Sequence, residues 1–153
     1  MITMSDGRQT PLRAVEVGDE VLGTEPRGGC RWYTTSKVLA KWATKKLAHR
    51  ITLADGTTIV ASGDHRFLTD RGWKYVTGGA MSASRRRPSL TTSDSLMGFG
   101  SRAARALPVL ESSLTAVKTT AGLRIVSIEP IEGSQELIDI TTTTGDFVAA
   151  GGW

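Results

Sequence analysis

The chain has 153 residues, of which 39% are apolar and 22% charged, the composition of a soluble globular domain long enough to bury a core. No apolar run approaches the ~20 residues of a membrane span, and the opening MITMSDGRQT lacks the basic-then-apolar order of a secretory signal. One cysteine, Cys30, excludes an internal disulfide framework, and with only two histidines, His49 and His65, no closed Cys/His zinc site can be built; a reducing, cytoplasmic setting is expected.

Residues 2–76 read as all-β, with short Val-, Ile- and Thr-rich runs between turn signals. A strand over 2–4 leads to Ser5-Asp6-Gly7. Runs over 12–17 and 20–22 flank Gly18-Asp19, and a longer strand is expected over 36–43. Strands over 49–53 and 57–62 flank Asp55-Gly56, a strong hairpin signal because that turn needs positive φ. Strands over 67–69 and 73–76 flank Asp70-Arg71-Gly72. The four tryptophans, Trp32, Trp42, Trp73 and Trp153, are expected to serve packing.

Composition changes at Gly78-Gly79. Residues 78–122 are rich in Ser, Thr, Arg, Gly and Ala and carry the whole formal net charge of +4. A connection of that length is expected to be an insertion or the remains of one, with a short helix over 101–107 between Ser101 as N-cap and Pro108 as stop. Arg85-Arg86-Arg87 is a solvated run or a phosphate contact. The β pattern resumes with strands over 123–129 and 136–141 around Glu132-Gly133-Ser134, and over 146–150 after Thr144-Gly145. The expected domain is therefore 1–77, an insertion at 78–122, and 123–153.

The densest chemical constellation is Ser62-Gly63-Asp64-His65, directly after a strand. A histidine there is held by the sheet while its ring meets a substrate, and an imidazole of ordinary pKa, ~6.5, suits proton transfer near neutrality. The Ser62 hydroxyl can bond a scissile carbonyl or amide, and Asp64 can orient a ring or cap the turn. A plain surface turn fits the same residues. Asp139, between Ile138 and Ile140, is either a solvent-facing strand residue or a carboxylate facing a cleft. Asp146 is either a turn residue or a second such carboxylate.

Three stretches together resemble the inteins. DGTTIVASGDHRFLTDRGW (55–73) is similar to the block in which a strand leads into Thr-x-x-His, with Ser62 in the Thr place and His65 as the His. ITMSDGRQTPLRAVEVGDEVLG (2–23) resembles the first block after its opening residues. Residues 124–152, with Ile-Asp-Ile-Thr, Thr-Gly and Asp-Phe-Val-Ala-Ala-Gly-Gly, resemble the late block. They cover just under half of the chain, in the family's order. PSLTTSDSLMGFG (88–100) looks like the lead into the homing endonuclease of larger relatives, so the resemblance implies a mini-intein that has lost that nuclease. Two departures are expected to matter. The chain starts at Met1 without the family's Cys or Ser nucleophile, and stops at Trp153 without its His-Asn.

The resemblance implies the horseshoe-shaped Hint fold of about ten short strands shared by inteins and hedgehog autoprocessing domains. It implies single-turnover acyl transfer on the protein's own backbone. His65 would protonate the first scissile amide and Ser62 would hold it. Asp139 would manage proton transfers between the two nucleophiles, and Asp146 would assist the C-terminal cleavage. No metal or organic cofactor is implied. The partners are flanking extein segments or complementary split-intein pieces, with no membrane, no nucleic acid and a monomeric state. Hedgehog-like cleavage without ligation and an inert relic share the fold, and a basic DNA-binding module is the reading of a different class.

Overall fold

The computed structural model describes residues 1–79, 87–99 and 115–149. The helix expected over 101–107, Arg85, Arg86 and Trp153 lie outside the described residues. The fold is all-β, and the described residues form eight strands in order: β1 (Ile2–Thr3), β2 (Gln9–Thr10), β3 (Glu20–Arg27), β4 (Cys30–Leu53), β5 (Thr58–Ser62), β6 (Arg66–Thr69), β7 (Gly72–Tyr75) and β8 (Ile125–Thr142). β1 pairs with β2, β6 with β7, and β4 with β3, β5 and β8. No helix among the described residues is long and apolar enough to cross a membrane.

Several expected strands merge. The runs over 36–43 and 49–53 belong to one 24-residue strand, β4, and those over 123–129 and 136–141 to one 18-residue strand, β8. Alternating burial fades in the middle of both, since residues 45–47 and 132–134 are exposed, while the ladder continues. Residues 12–17 are not a strand. Pro11 sets φ at −57°, and Leu12–Ala14 form a 3-10 turn that buries Leu12 and Val15, three residues apart. The run over 146–150 contributes one isolated bridge, Ala149 to Ile2, among its described residues.

The chain divides into two compact units. The first comprises Met1–Thr44, Gly98–Lys118 and Ile138–Trp153, and the second Lys45–Met97 and Thr119–Leu137. The first unit buries Ile2, Met4, Leu12, Val15, Val21, Val38 and Ile140, with Ile138 and Phe147 packed against them. The second buries Ile51, Leu53, Ile59, Ala61, Val76, Leu90, Leu96, Leu123 and Ile125. Each fully buried Ile or Leu contributes about 1.5–3 kcal/mol relative to exposure. Leu90, Leu96 and Val117 come from the compositionally distinct stretch 78–122, so described parts of that stretch are core. Asp94, also from that stretch, is fully buried and accepts hydrogen bonds from Lys74 Nζ at 2.6 Å and the Thr91 N–H at 2.8 Å.

Candidate functional site

In the second unit, β5 pairs antiparallel with the end of β4, Thr52 with Thr58 through Ala48 with Ser62, around the Asp55-Gly56 turn, where Gly56 has φ +86°. The strand stops at Ser62 because the chain folds back on itself. The His65 N–H donates to the Ser62 carbonyl at 3.1 Å, the Thr77 N–H to Gly63 at 3.0 Å, and the Val76 N–H to His65 at 3.0 Å. Glycine is required at position 63, where a Cβ would stand 2.7 Å from Thr77 Oγ1. His65 is half-buried, and its ring lies 4.9 Å from that of Phe67 at a tilt of 55°. Phe67 packs against the second core, so the imidazole rests on a fixed apolar support.

The Ser62 hydroxyl donates to Asp64 Oδ1 at 2.5 Å, and Lys46 Nζ donates to Asp64 Oδ2 at 2.6 Å. The Lys46 hydrogen bond first, and that of Ser62 second, hold the Asp64 carboxyl down at about 2. Asp64 thus orients the Ser62 hydroxyl. With its proton directed at a carboxylate, Ser62 Oγ keeps its lone pairs for an incoming N–H. His49, which pairs with Ala61, has a buried Nδ1 with no hydrogen-bond partner among the described residues.

The other two candidates lie in the first unit. Asp139 is half-buried between Ile138 and Ile140, and its Oδ1 accepts the Ile140 N–H at 2.9 Å. Ile138 and Ile140 face the first core, so Asp139 points to the other side of β8, and it makes no ion pair among the described residues. Asp146 is engaged on every side. Its Oδ1 accepts the Thr24 N–H at 2.8 Å and the Thr144 hydroxyl at 2.9 Å. Its Oδ2 accepts the Thr24 hydroxyl, and Arg31 Nη2 at 3.1 Å. A carboxylate with about four lone-pair sites so filled is a clamp.

The clamp belongs to a larger polar seam. Ser36 Oγ shares a hydrogen bond with Thr144 Oγ1 at 2.8 Å, and the Lys37 N–H donates to Thr143 Oγ1 at 3.0 Å. Gly23 leaves room for the turn to close on β3, since a Cβ there would meet Thr144 Oγ1 at 2.4 Å and Ser36 Cβ at 2.9 Å.

Sequence reasoning missed Lys46 and Arg31. The signal for Lys46 is register: Ala48 pairs with Ser62, so Lys46 on β4 stands two residues beyond the last pair, beside the turn that carries Asp64. Arg31 offers no such signal, because its partner is 115 residues away.

No family model matches the chain. Over 79 residues, 48% of this chain, it is 35% identical to the DNA-directed RNA polymerase III subunit rpc2 of Dictyostelium discoideum, of whose length it spans 5%. Among solved structures it is similar to a DnaB intein from Synechocystis sp. PCC 6803, with 21% identity, 99% of this chain and 94% of that one covered, and a TM-score of 0.64. A variant of the Ssp DnaB mini-intein gives 23% identity, coverages of 99% and 90%, and a TM-score of 0.66. The gp41-1 intein gives 20% identity, coverages of 98% and 92%, and a TM-score of 0.55. The chain therefore has the fold of the inteins, the all-β Hint fold.

Proposed function

We propose that this chain is a protein-splicing domain, an intein of the compact kind without a homing endonuclease, acting once on the peptide bonds that flank it. The observation that carries the reading is the turn Ser62-Gly63-Asp64-His65, which on this fold combines an oriented hydroxyl with a half-buried imidazole on a fixed backbone. At the upstream junction a thiol or hydroxyl attacks the preceding carbonyl. A C–S or C–O bond forms, the amide C–N bond breaks, and the departing nitrogen must take a proton. His65 supplies that proton and regains one from the attacking thiol or hydroxyl, while Ser62 Oγ accepts the scissile N–H.

Asp139 serves proton transfer between the two nucleophiles, consistent with a carboxylate that has no competing ion pair among the described residues. Asp146 serves the downstream cleavage indirectly, by fixing the segment that follows β8, because its oxygens are already filled. The partners are the flanking segments of a host protein. The match to a short stretch of a far longer polymerase subunit supports a segment housed within a larger chain.

The test is expression of residues 1–153 within their flanking coding sequence, with reporter proteins on each side and mass spectrometry of the products. A ligated reporter pair with release of the chain is the expected result. Cleavage without ligation would assign hedgehog-like autoprocessing instead. A folded precursor that neither ligates nor cleaves on addition of thiol would leave an inert relic.

A further inference from the structure

We propose that Arg87 is the positioning residue of the turn that presents His65. Arg87 belongs to a basic run that reads as solvated charge, yet it is half-buried and its guanidinium is committed on two edges. Nη2 donates to the Gly63 carbonyl at 3.0 Å, and Nε to the Thr77 carbonyl at 2.9 Å. The same guanidinium lies 4.1 Å from the centroid of the Tyr75 ring, on β7. A planar fork that spans two carbonyls while stacking on an aromatic face is arginine chemistry, and a lysine ammonium reproduces only part of it.

One of the two carbonyls belongs to the turn and the other to Thr77, the residue paired with it. Gly63 is its second residue, and its carbonyl also accepts the Thr77 N–H. Arg87 therefore bonds both halves of the Gly63–Thr77 pairing and ties them together. The turn needs such an outside tie, since its side chains include the exposed Asp64 and its own closure rests on the hydrogen bond from the His65 N–H to Ser62.

Arg87 is in turn held by backbone. The Tyr75 N–H donates to the Pro88 carbonyl at 2.9 Å and the Leu90 N–H to the Tyr75 carbonyl at 2.8 Å, and Leu90 is core. Gly79 makes the close approach possible, because a Cβ there would sit 2.9 Å from Arg87 Nε. The chain thus runs from the second core through Leu90 and Arg87 to the backbone under His65. The clamp rests on this geometry alone, and its effect on the reaction rests on the splicing reading.

Two measurements test it. In the folded chain, Arg87→Met keeps an apolar stem and removes both donors. Hydrogen exchange at the His65 and Thr77 amides should quicken by about tenfold, with the Phe67 and Leu68 amides of the neighbouring β6 unchanged. Arg87→Lys should fall between. In the flanked precursor, thiol-induced cleavage at the upstream junction should slow by about tenfold in Arg87→Met, with a smaller loss in Arg87→Lys. Unchanged exchange at His65 and Thr77, or faster exchange throughout the second unit, would overturn the clamp. Altered exchange with wild-type cleavage rates would overturn its role in the reaction. A wild-type precursor that does not cleave would count against the splicing reading, and the exchange result would still decide the clamp.

Discussion

The Lys46 ammonium lies 2.6 Å from the Asp64 carboxylate, and Asp64 in turn accepts the Ser62 hydroxyl at 2.5 Å. The folded-state carboxyl is held at about 2, chiefly by Lys46. An unfolded aspartate titrates near ~3.9. The stabilisation is therefore fully present above ~4 and lost as pH falls through the folded value. Both side chains are nearly half exposed, at 43% for Lys46 and 48% for Asp64, so solvent screening limits the contribution to about 1 kcal/mol or less. Lys46→Ala should move the Asp64 midpoint, followed by carboxyl NMR, up toward the ordinary range with little change in stability near neutrality. A midpoint that stayed near the wild-type value would show that Lys46 is not the cause.

Asp146 and Arg31 form a pair of a different kind, with side-chain exposures of 10% and 22%. Asp146→Ala leaves the guanidinium, the Thr24 N–H and two hydroxyls without their shared acceptor, and should cost about 2–4 kcal/mol in denaturant unfolding. Asp146→Asn retains the shape and part of the bonding, and should cost less. If Asp146→Ala unfolded at the wild-type midpoint, the clamp would contribute nothing.

Gly23 gives a steric test of the same seam. Alanine there would bring its Cβ to 2.4 Å from Thr144 Oγ1 and 2.9 Å from Ser36 Cβ. The Ser36 contact lies near the backbone of β4 and cannot swing aside. Gly23→Ala should therefore destabilise by about 1–3 kcal/mol, the range for overpacking a filled site. A neutral Gly23→Ala would mean that the turn after β8 closes less tightly on β3.

The stretch 78–122 is not uniform in what it can lose. Leu90 and Leu96 are core, and Asp94 is fully buried. Burial raises the Asp94 carboxyl, but Lys74 and Thr91 together outweigh burial and leave it below the usual range. Its stabilisation is thus present above ~3.9 and fades as pH falls through the lowered value. Leu96→Ala should cost about 2–5 kcal/mol, and Asp94→Ala about 2–3 kcal/mol, because the partly buried Lys74 ammonium loses its partner. Replacing all of 80–120 by a linker should abolish the cooperative thermal transition. A retained transition would place the second core elsewhere.

The turns were the readable part of the fold. Asp55-Gly56 and the Gly72 turn lie where the chemistry of positive φ puts them, with φ of +86° and +94°. Strand length was hidden, because β4 and β8 pass through stretches exposed on both faces where hydrophobic alternation carries no signal. The 3-10 turn at Leu12–Ala14 was hidden by a run that alternates well enough to imitate a strand. Of the site, the His65 turn was visible from residue types, and Lys46 was reachable by counting register. Asp146 was visible as a candidate, but the polar seam of Thr24, Arg31, Ser36 and Thr144 around it was not, because a reading based on apolar periodicity assigns threonines to the surface.

The final prediction concerns the reaction. If Ser62 Oγ acts as an acceptor whose own proton is engaged by Asp64, then geometry and hydroxyl identity both matter. Ser62→Thr keeps the hydroxyl and should retain splicing in the flanked precursor. Ser62→Val has nearly the same shape as threonine and should lose it. Asp64→Asn removes the charged acceptor and should slow the upstream step by about tenfold or less, since the hydroxyl remains. His65→Ala should slow that step by ~10²–10⁴-fold, the worth of general acid catalysis. The loss should appear at the upstream junction, read as thiol-induced cleavage over time by mass spectrometry, with circular dichroism showing the fold intact. Equal rates for the Val and Thr variants would remove the hydroxyl from the mechanism. A wild-type rate in folded His65→Ala would remove the imidazole from the mechanism.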